Sequence, residues 1–149
     1  MEERMKPILR KTGIAFAGIT LIAGVLAAGT GLALAGATQV SLSGAQEVPS
    51  VQTSAKGSGT IMVNDDKSVS GSVTTTGVKG VAAHIHEGAP GKNGGVAVPL
   101  EKKSDNEWVV PAGAKFTDAQ YKSYQAGDLY VNVHSAAHKD GEIRGQLKP

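Results

Sequence analysis

Past residue 40 the chain alternates apolar and polar positions in short runs cut by turn residues, the period of two that belongs to half-buried strands. Gly59-Thr60-Ile61-Met62-Val63 runs into Asn64-Asp65-Asp66-Lys67, after which Val69, Gly71 and Val73 alternate with Ser68, Ser70, Ser72 and Thr74. This predicts a hairpin. Further strands are expected at 40–46, 80–86, 95–101, 107–110, 128–134 and 142–148. Strands at that spacing predict an all-β sandwich or barrel. One short helix interrupts them at 118–126, because Thr117-Asp118-Ala119-Gln120 has the form of a capping box and Gly127 supplies a left-handed stop after Ala126.

The first 35 residues follow a different pattern. Arg4, Lys6, Arg10 and Lys11 form a basic n-region, and the 23 positions from Gly13 to Ala35 carry no charge. These are the marks of an export signal, and Ala33-Leu34-Ala35 offers a small-x-small cleavage site before Gly36. The uncharged run also approaches the ~20 residues that span a bilayer, so an uncleaved N-terminal anchor helix is the alternative to a removed signal peptide. Glycines 24, 29, 31 and 36 favour cleavage by weakening a spanning helix. On either reading, residues 36–149 form one domain placed outside the cytoplasm, periplasmic or secreted, and membrane contact is confined to residues 13–35.

Setting that segment aside changes the charge. Four of 15 Lys+Arg and two of 13 Asp+Glu lie in residues 1–35, leaving 11 of each, so the remainder is formally neutral. The basic balance belongs to the leader and gives no support for nucleic-acid binding. With no cysteine, disulfides, lipoprotein-type acylation and thiolate metal sites are excluded. Any metal must be held by nitrogen and oxygen. With one Trp and two Phe in the chain, the core is expected to rest on Val, Ile, Leu and Ala.

All four histidines fall in two clusters, His84-Ile85-His86 and His134-Ser135-Ala136-Ala137-His138. Strand periodicity puts Val81, Ala83 and Ile85 on the inward face and Ala82, His84 and His86 on the outward one. The Cα atoms of His84 and His86 are then ~6.5 Å apart, a span two imidazoles can close onto one ion. The same count sets Leu129, Val131 and Val133 inward and Tyr130, Asn132 and His134 outward. If the two strands are neighbours three imidazoles converge, and His138 in the following loop is a fourth candidate ligand. The plain alternative is a polar strand surface, on which histidine is common.

Five ordered segments give a resemblance. Leu42-Ser43-Gly44-Ala45-Gln46-Glu47-Val48-Pro49, Ala83-His84-Ile85-His86-Glu87-Gly88, Val110-Pro111-Ala112-Gly113, Leu129-Tyr130-Val131-Asn132-Val133-His134-Ser135 and Gly141-Glu142-Ile143-Arg144-Gly145-Gln146-Leu147 together resemble the chordin-type (CHRD) domain of bacterial exported proteins and animal chordin, over about residues 40–148. The resemblance implies a Greek-key β-sandwich of immunoglobulin or superoxide-dismutase type and says little about activity. The chain departs from the family pattern at Ser50 and Lys139, neither a candidate ligand. His84-Ile85-His86-Glu87-x-Gly is also similar to the strand that supplies two copper ligands in copper/zinc superoxide dismutases, and His134 to their late copper histidine. Their zinc loop is rich in histidine, whereas Glu87 to Gly95 has none. Copper is therefore the expected ion, with zinc as the alternative, since nitrogen donors favour Cu(II) over Zn(II).

Around these ligands, Glu87, Tyr130 and Asn132 are candidates to orient or line the site. Arg144, the one arginine after the leader, is a candidate catalytic residue that draws in a small anion, as in dismutases. Structural pairing with Glu142 or Glu47 is the competing role. No Ser-His-Asp set, paired carboxylates or phosphate-cradling loop is evident, and the glycines of Gly88 to Gly95 lack the strand-to-helix setting of a nucleotide loop. Three functions remain: an exported protein that stores, buffers or transfers copper, a superoxide dismutase-like copper enzyme, and a cell-surface adhesion or interaction module whose histidines bind nothing.

Overall fold

A computed structural model describes residues 36–149. The expected signal peptide or anchor at 1–35 lies outside the described residues. Among the described residues no helix is long and apolar enough to cross a membrane.

The domain is antiparallel β with one α-helix. Its strands are β1 (Ala37–Ser43), β2 (Lys56–Val63), β3 (Val69–Thr76), β4 (Gly80–Glu87), β5 (Val96–Pro99), β6 (Glu101–Ser104), β7 (Glu107–Val109), β8 (Leu129–Ser135) and β9 (Ile143–Leu147), with α1 (Asp118–Ala126) between β7 and β8. They form a single hydrogen-bonded sheet in the order β5-β4-β8-β9-β1-β2-β3-β7-β6. Its halves join at β1 and β9, where Ser43 opposite Arg144 is the sole register pair. Its outer edges, β5 and β6, are consecutive in the chain with Leu100 alone between them. The sheet must therefore curl until its edges nearly meet.

The expected hairpin is β2–β3, with Val63 opposite Val69 and Lys67 in the left-handed region at the turn (φ 69°). The helix runs from Asp118 to Ala126 with both capping-box bonds made and Gly127 left-handed (φ 78°). Two strand expectations need correction. The run 95–101 is two strands on opposite edges, because the buried side chain of Leu100 turns the chain from one half of the sheet to the other. The run 40–46 begins earlier, at Ala37, and ends in a 3-10 turn over Gly44–Gln46.

The core is aliphatic, as the composition predicts, with Ile61, Ile85, Leu129, Val131, Val133, Ile143 and Leu147 fully buried around Trp108. Val81 is the exception to the expected inward face, being 61% exposed. Gly80 pairs with Ser135 and Ala82 with His134, so Val81 is an inserted residue that the bulge turns out of the core. The helix closes one end, its Tyr124 hydroxyl 2.6 Å from Thr38 Oγ1.

Candidate metal centre

The site lies on the β4-β8-β9 part of the sheet, on the face away from the core. β4 and β8 are neighbours, with His86 opposite Tyr130, His84 opposite Asn132 and Ala82 opposite His134. Ala83, Ile85, Leu129, Val131 and Val133 fill the other face at 1% exposure or less. Any register slip by one residue would bury the imidazoles in hydrocarbon, so the apolar set fixes the histidines' side.

That face was expected to be solvent-exposed, and here the structure differs. Tyr130, Asn132 and His134 are 3%, 2% and 8% exposed. The segments 44–51, 87–95 and 136–142 fold over it, and strand periodicity alone carries no information about such a cover. The result is a second, polar buried layer.

Within it the ligating atoms of His84, His86 and His134 all lie within 4.8 Å of one another. The ring centroids are 4.9 to 5.8 Å apart. Each ring's protonation follows from its partners. His134 Nδ1 lies 2.8 Å from the Lys139 carbonyl and His86 Nδ1 lies 3.0 Å from the Gly94 carbonyl. A carbonyl only accepts, so both Nδ1 atoms carry a hydrogen, and in the neutral rings both Nε2 atoms present lone pairs. His134 Nε2 meets His84 Nδ1 at 3.0 Å, and between neutral rings His84 is the donor. His86 Nε2 is buried with no hydrogen-bond partner. Burial pushes the His84 and His86 pKa values down, mutual repulsion with neighbouring imidazoles adding to it, while the Gly94 bond partly opposes the shift at His86. Both rings are therefore neutral at pH 7, the form that binds metal.

His138 is not part of this group. It belongs to the tight turn that follows β8, whose Lys139 carbonyl, rather than the His138 ring, faces His134. His138 instead lines an open depression with Glu47, Val48 and Asp140.

Glu87 does not orient an imidazole. Its carboxylate accepts a 2.7 Å bond from Ser123 on α1, because successive strand residues point to opposite faces and Glu87 therefore turns away from His86. Tyr130 does line the site: its ring stacks on His86 at 5.0 Å with planes 6° apart. Asn132 donates to the buried Glu47 carboxylate, not to an imidazole.

Arg144 is 1% exposed. Its guanidinium carbon lies over the Tyr130 ring, 3.5 Å from the centroid, and the group donates to Asn93 Oδ1, Ala89 O and Gln146 Oε1. Among the described residues it makes no ion pair within 4.0 Å, so neither expected pairing, with Glu47 or with Glu142, is direct. So buried, it offers little surface for attracting a free anion.

Sequence reasoning passed over the groups that hold the rings, the carbonyls of Gly94 and Lys139, because a backbone acceptor leaves no mark in residue type. One signal was present. A β carbon on Gly94 would lie 1.5 Å from the Glu87 carbonyl oxygen, so the glycine beside the His-x-His strand permits a close approach that no other residue allows.

Such an arrangement defines a curled antiparallel β domain carrying a half-buried cluster of three converging imidazoles. Residues 38–147 match the family model described as the CHRD domain, and the chain belongs to that family. No curated protein matches the chain, and no solved structure does.

Proposed function

We propose that this CHRD-domain protein binds one transition-metal ion through His84, His86 and His134, copper in preference to zinc, and that it stores, buffers or hands on that ion outside the cytoplasm. The observation that carries the reading is the buried, unpartnered Nε2 of His86 beside two further ring nitrogens. A buried polar atom without a partner is costly, and an ion at the centre of the three rings satisfies it. The set fits a metal in a second way, since His86 and His134 are tied through Nδ1 to backbone carbonyls, the usual means of fixing the tautomer of a ligating imidazole. The donors are then His86 Nε2, His134 Nε2 and His84 Nδ1. His84 must first move its proton from Nδ1 to Nε2, which its partial exposure allows solvent to mediate.

Three nitrogen donors with no carboxylate among them suit copper by the Irving–Williams order and do not enforce a zinc cage. The finer fold reading, a Greek-key sandwich of the immunoglobulin or dismutase kind, is supported by the narrow junction between the sheet's halves at Ser43 and Arg144. A dismutase-like enzyme is the second reading. It is favoured by a three-ligand set, which leaves a coordination position open, and disfavoured by the burial of Arg144.

Equilibrium dialysis of the full, untagged chain against Cu(II) tests the proposal. About one retained equivalent is expected, lost in the His84→Ala/His86→Ala variant. No retention, or retention unchanged in that variant, leaves the adhesion-module reading in its place. Superoxide consumption that disappears with His134→Ala assigns the enzyme, and bound but inert copper assigns the carrier.

A further inference from the structure

We infer that Arg144 is a positioning residue for the three-imidazole site, acting through the loop at 88–94 rather than on a substrate. The inference rests on the metal reading above and assigns what sets its grip. Gly94 O, the atom that fixes His86, sits at the end of a loop outside any strand or helix, whose backbone bonds are a turn from Lys92 N to Ala89 O, the closure from Glu87 N to Gly95 O and the bond from Gly88 N to Asp128 O. Side chains of β9 add to that hold. Arg144 donates to Ala89 O and Asn93 Oδ1, each at 3.2 Å, and Gln146 Nε2 donates to Gly88 O at 2.8 Å. Asn93 in turn donates to Val48 O at 2.7 Å, tying the loop to the segment on its other side.

The same guanidinium reaches His86 by a second route. It stacks on Tyr130, Tyr130 stacks on His86, and the Tyr130 hydroxyl accepts from Gly94 N at 3.2 Å. Ring plane and ring tautomer of His86 are thus both linked to one planar, multiply donating group. A lysine ammonium cannot reproduce it, since it neither lies flat on a ring nor donates to several fixed acceptors in one plane. His134 is independent, because Lys139 O holds it from a different loop.

That independence supplies the control. In the full chain loaded with Cu(II), Arg144→Lys should release the ion to a competing chelator roughly ten- to a hundredfold faster, with altered nitrogen hyperfine structure in the copper resonance spectrum. Asn93→Ala, on an exposed loop position where folding is not at stake, should shift release in the same direction by less. In metal-free protein, nitrogen-15 shifts of the His86 ring should move from a fixed Nδ1–H tautomer toward a mixture in both variants, while those of His134 stay in place. Wild-type release rates in both variants, or equal disturbance of His86 and His134, would overturn the positioning role. If wild-type protein takes up no Cu(II), the metal reading fails, and the metal-free ring shifts still decide whether Arg144 orders His86.

Discussion

Glu47 is a carboxylic acid placed where charge is poorly tolerated. It is 7% exposed, and burial raises its pKa from 4.5 to about 7, outweighing the opposing pull of the Arg144 charge and of the Asn132 bond. A raised folded-state pKa means that the folded protein holds a proton which the unfolded chain has released. Stability attributable to Glu47 is therefore fully present below pH 4.5 and is lost as pH rises through about 7. A shift from 4.5 to about 7, at ~1.4 kcal/mol per unit, gives a loss of about 3 kcal/mol above neutrality. Glu47→Gln keeps an oxygen to accept from Asn132 and removes the titration. At pH 8, metal-free Glu47→Gln should be more stable than wild type by up to about 3 kcal/mol, on the order of 10 °C in Tm for a domain of this size. At pH 4 the two should coincide. Urea unfolding of both proteins at half-unit steps from pH 4 to 8 measures the difference, in which contributions common to both proteins, histidine titration included, cancel. A difference that stays flat with pH, or a Gln variant less stable than wild type at pH 8, would refute the placement of Glu47 as a buried, proton-holding acid.

Other consequences are as direct. The depressed pKa values of His84 and His86 mean that the unfolded chain takes up protons at ordinary histidine pH which the folded rings refuse, so metal-free protein should lose stability as pH falls below 6.5. Glutamine at both positions should flatten that limb in thermal melts. Copper retention should hold level between pH 8 and 6.5 and fall below it, as protons compete for the same lone pairs, and a pH titration of bound copper reads this. Gly94→Ala forces its β carbon onto the Glu87 carbonyl and should weaken copper binding ten- to a hundredfold in a competition assay. Gly95→Ala, where nothing lies within 4 Å of the added carbon, should bind as wild type does.

Much of the scaffold was written in the residue pattern. The period of two chose the inward faces of β4 and β8 because a packed aliphatic core enforces one register, and the capping box with Gly127 bounded the helix because both are local backbone chemistry. The misreadings occurred where a non-local contact decides. Val81 left the core through a bulge set by pairing with β8, and Leu100 divided one apparent strand between two sheet edges. At the site, the convergence of His84, His86 and His134 followed from periodicity plus one assumption, that β4 and β8 are neighbours. What holds them did not follow. The cover of that face, the carbonyls at Gly94 and Lys139, and the burial of Arg144 against Tyr130 are made by loops whose path residue type leaves unspecified.

In the proposed site three imidazoles from two adjacent strands share one ion. Electron paramagnetic resonance of the full chain carrying one equivalent of Cu(II) tests it most directly. Hyperfine splitting from three ring nitrogens is expected, reduced to two by His84→Ala, His86→Ala or His134→Ala singly and unchanged by His138→Ala. A copper signal without nitrogen splitting, or one that none of those three substitutions alters, would contradict it.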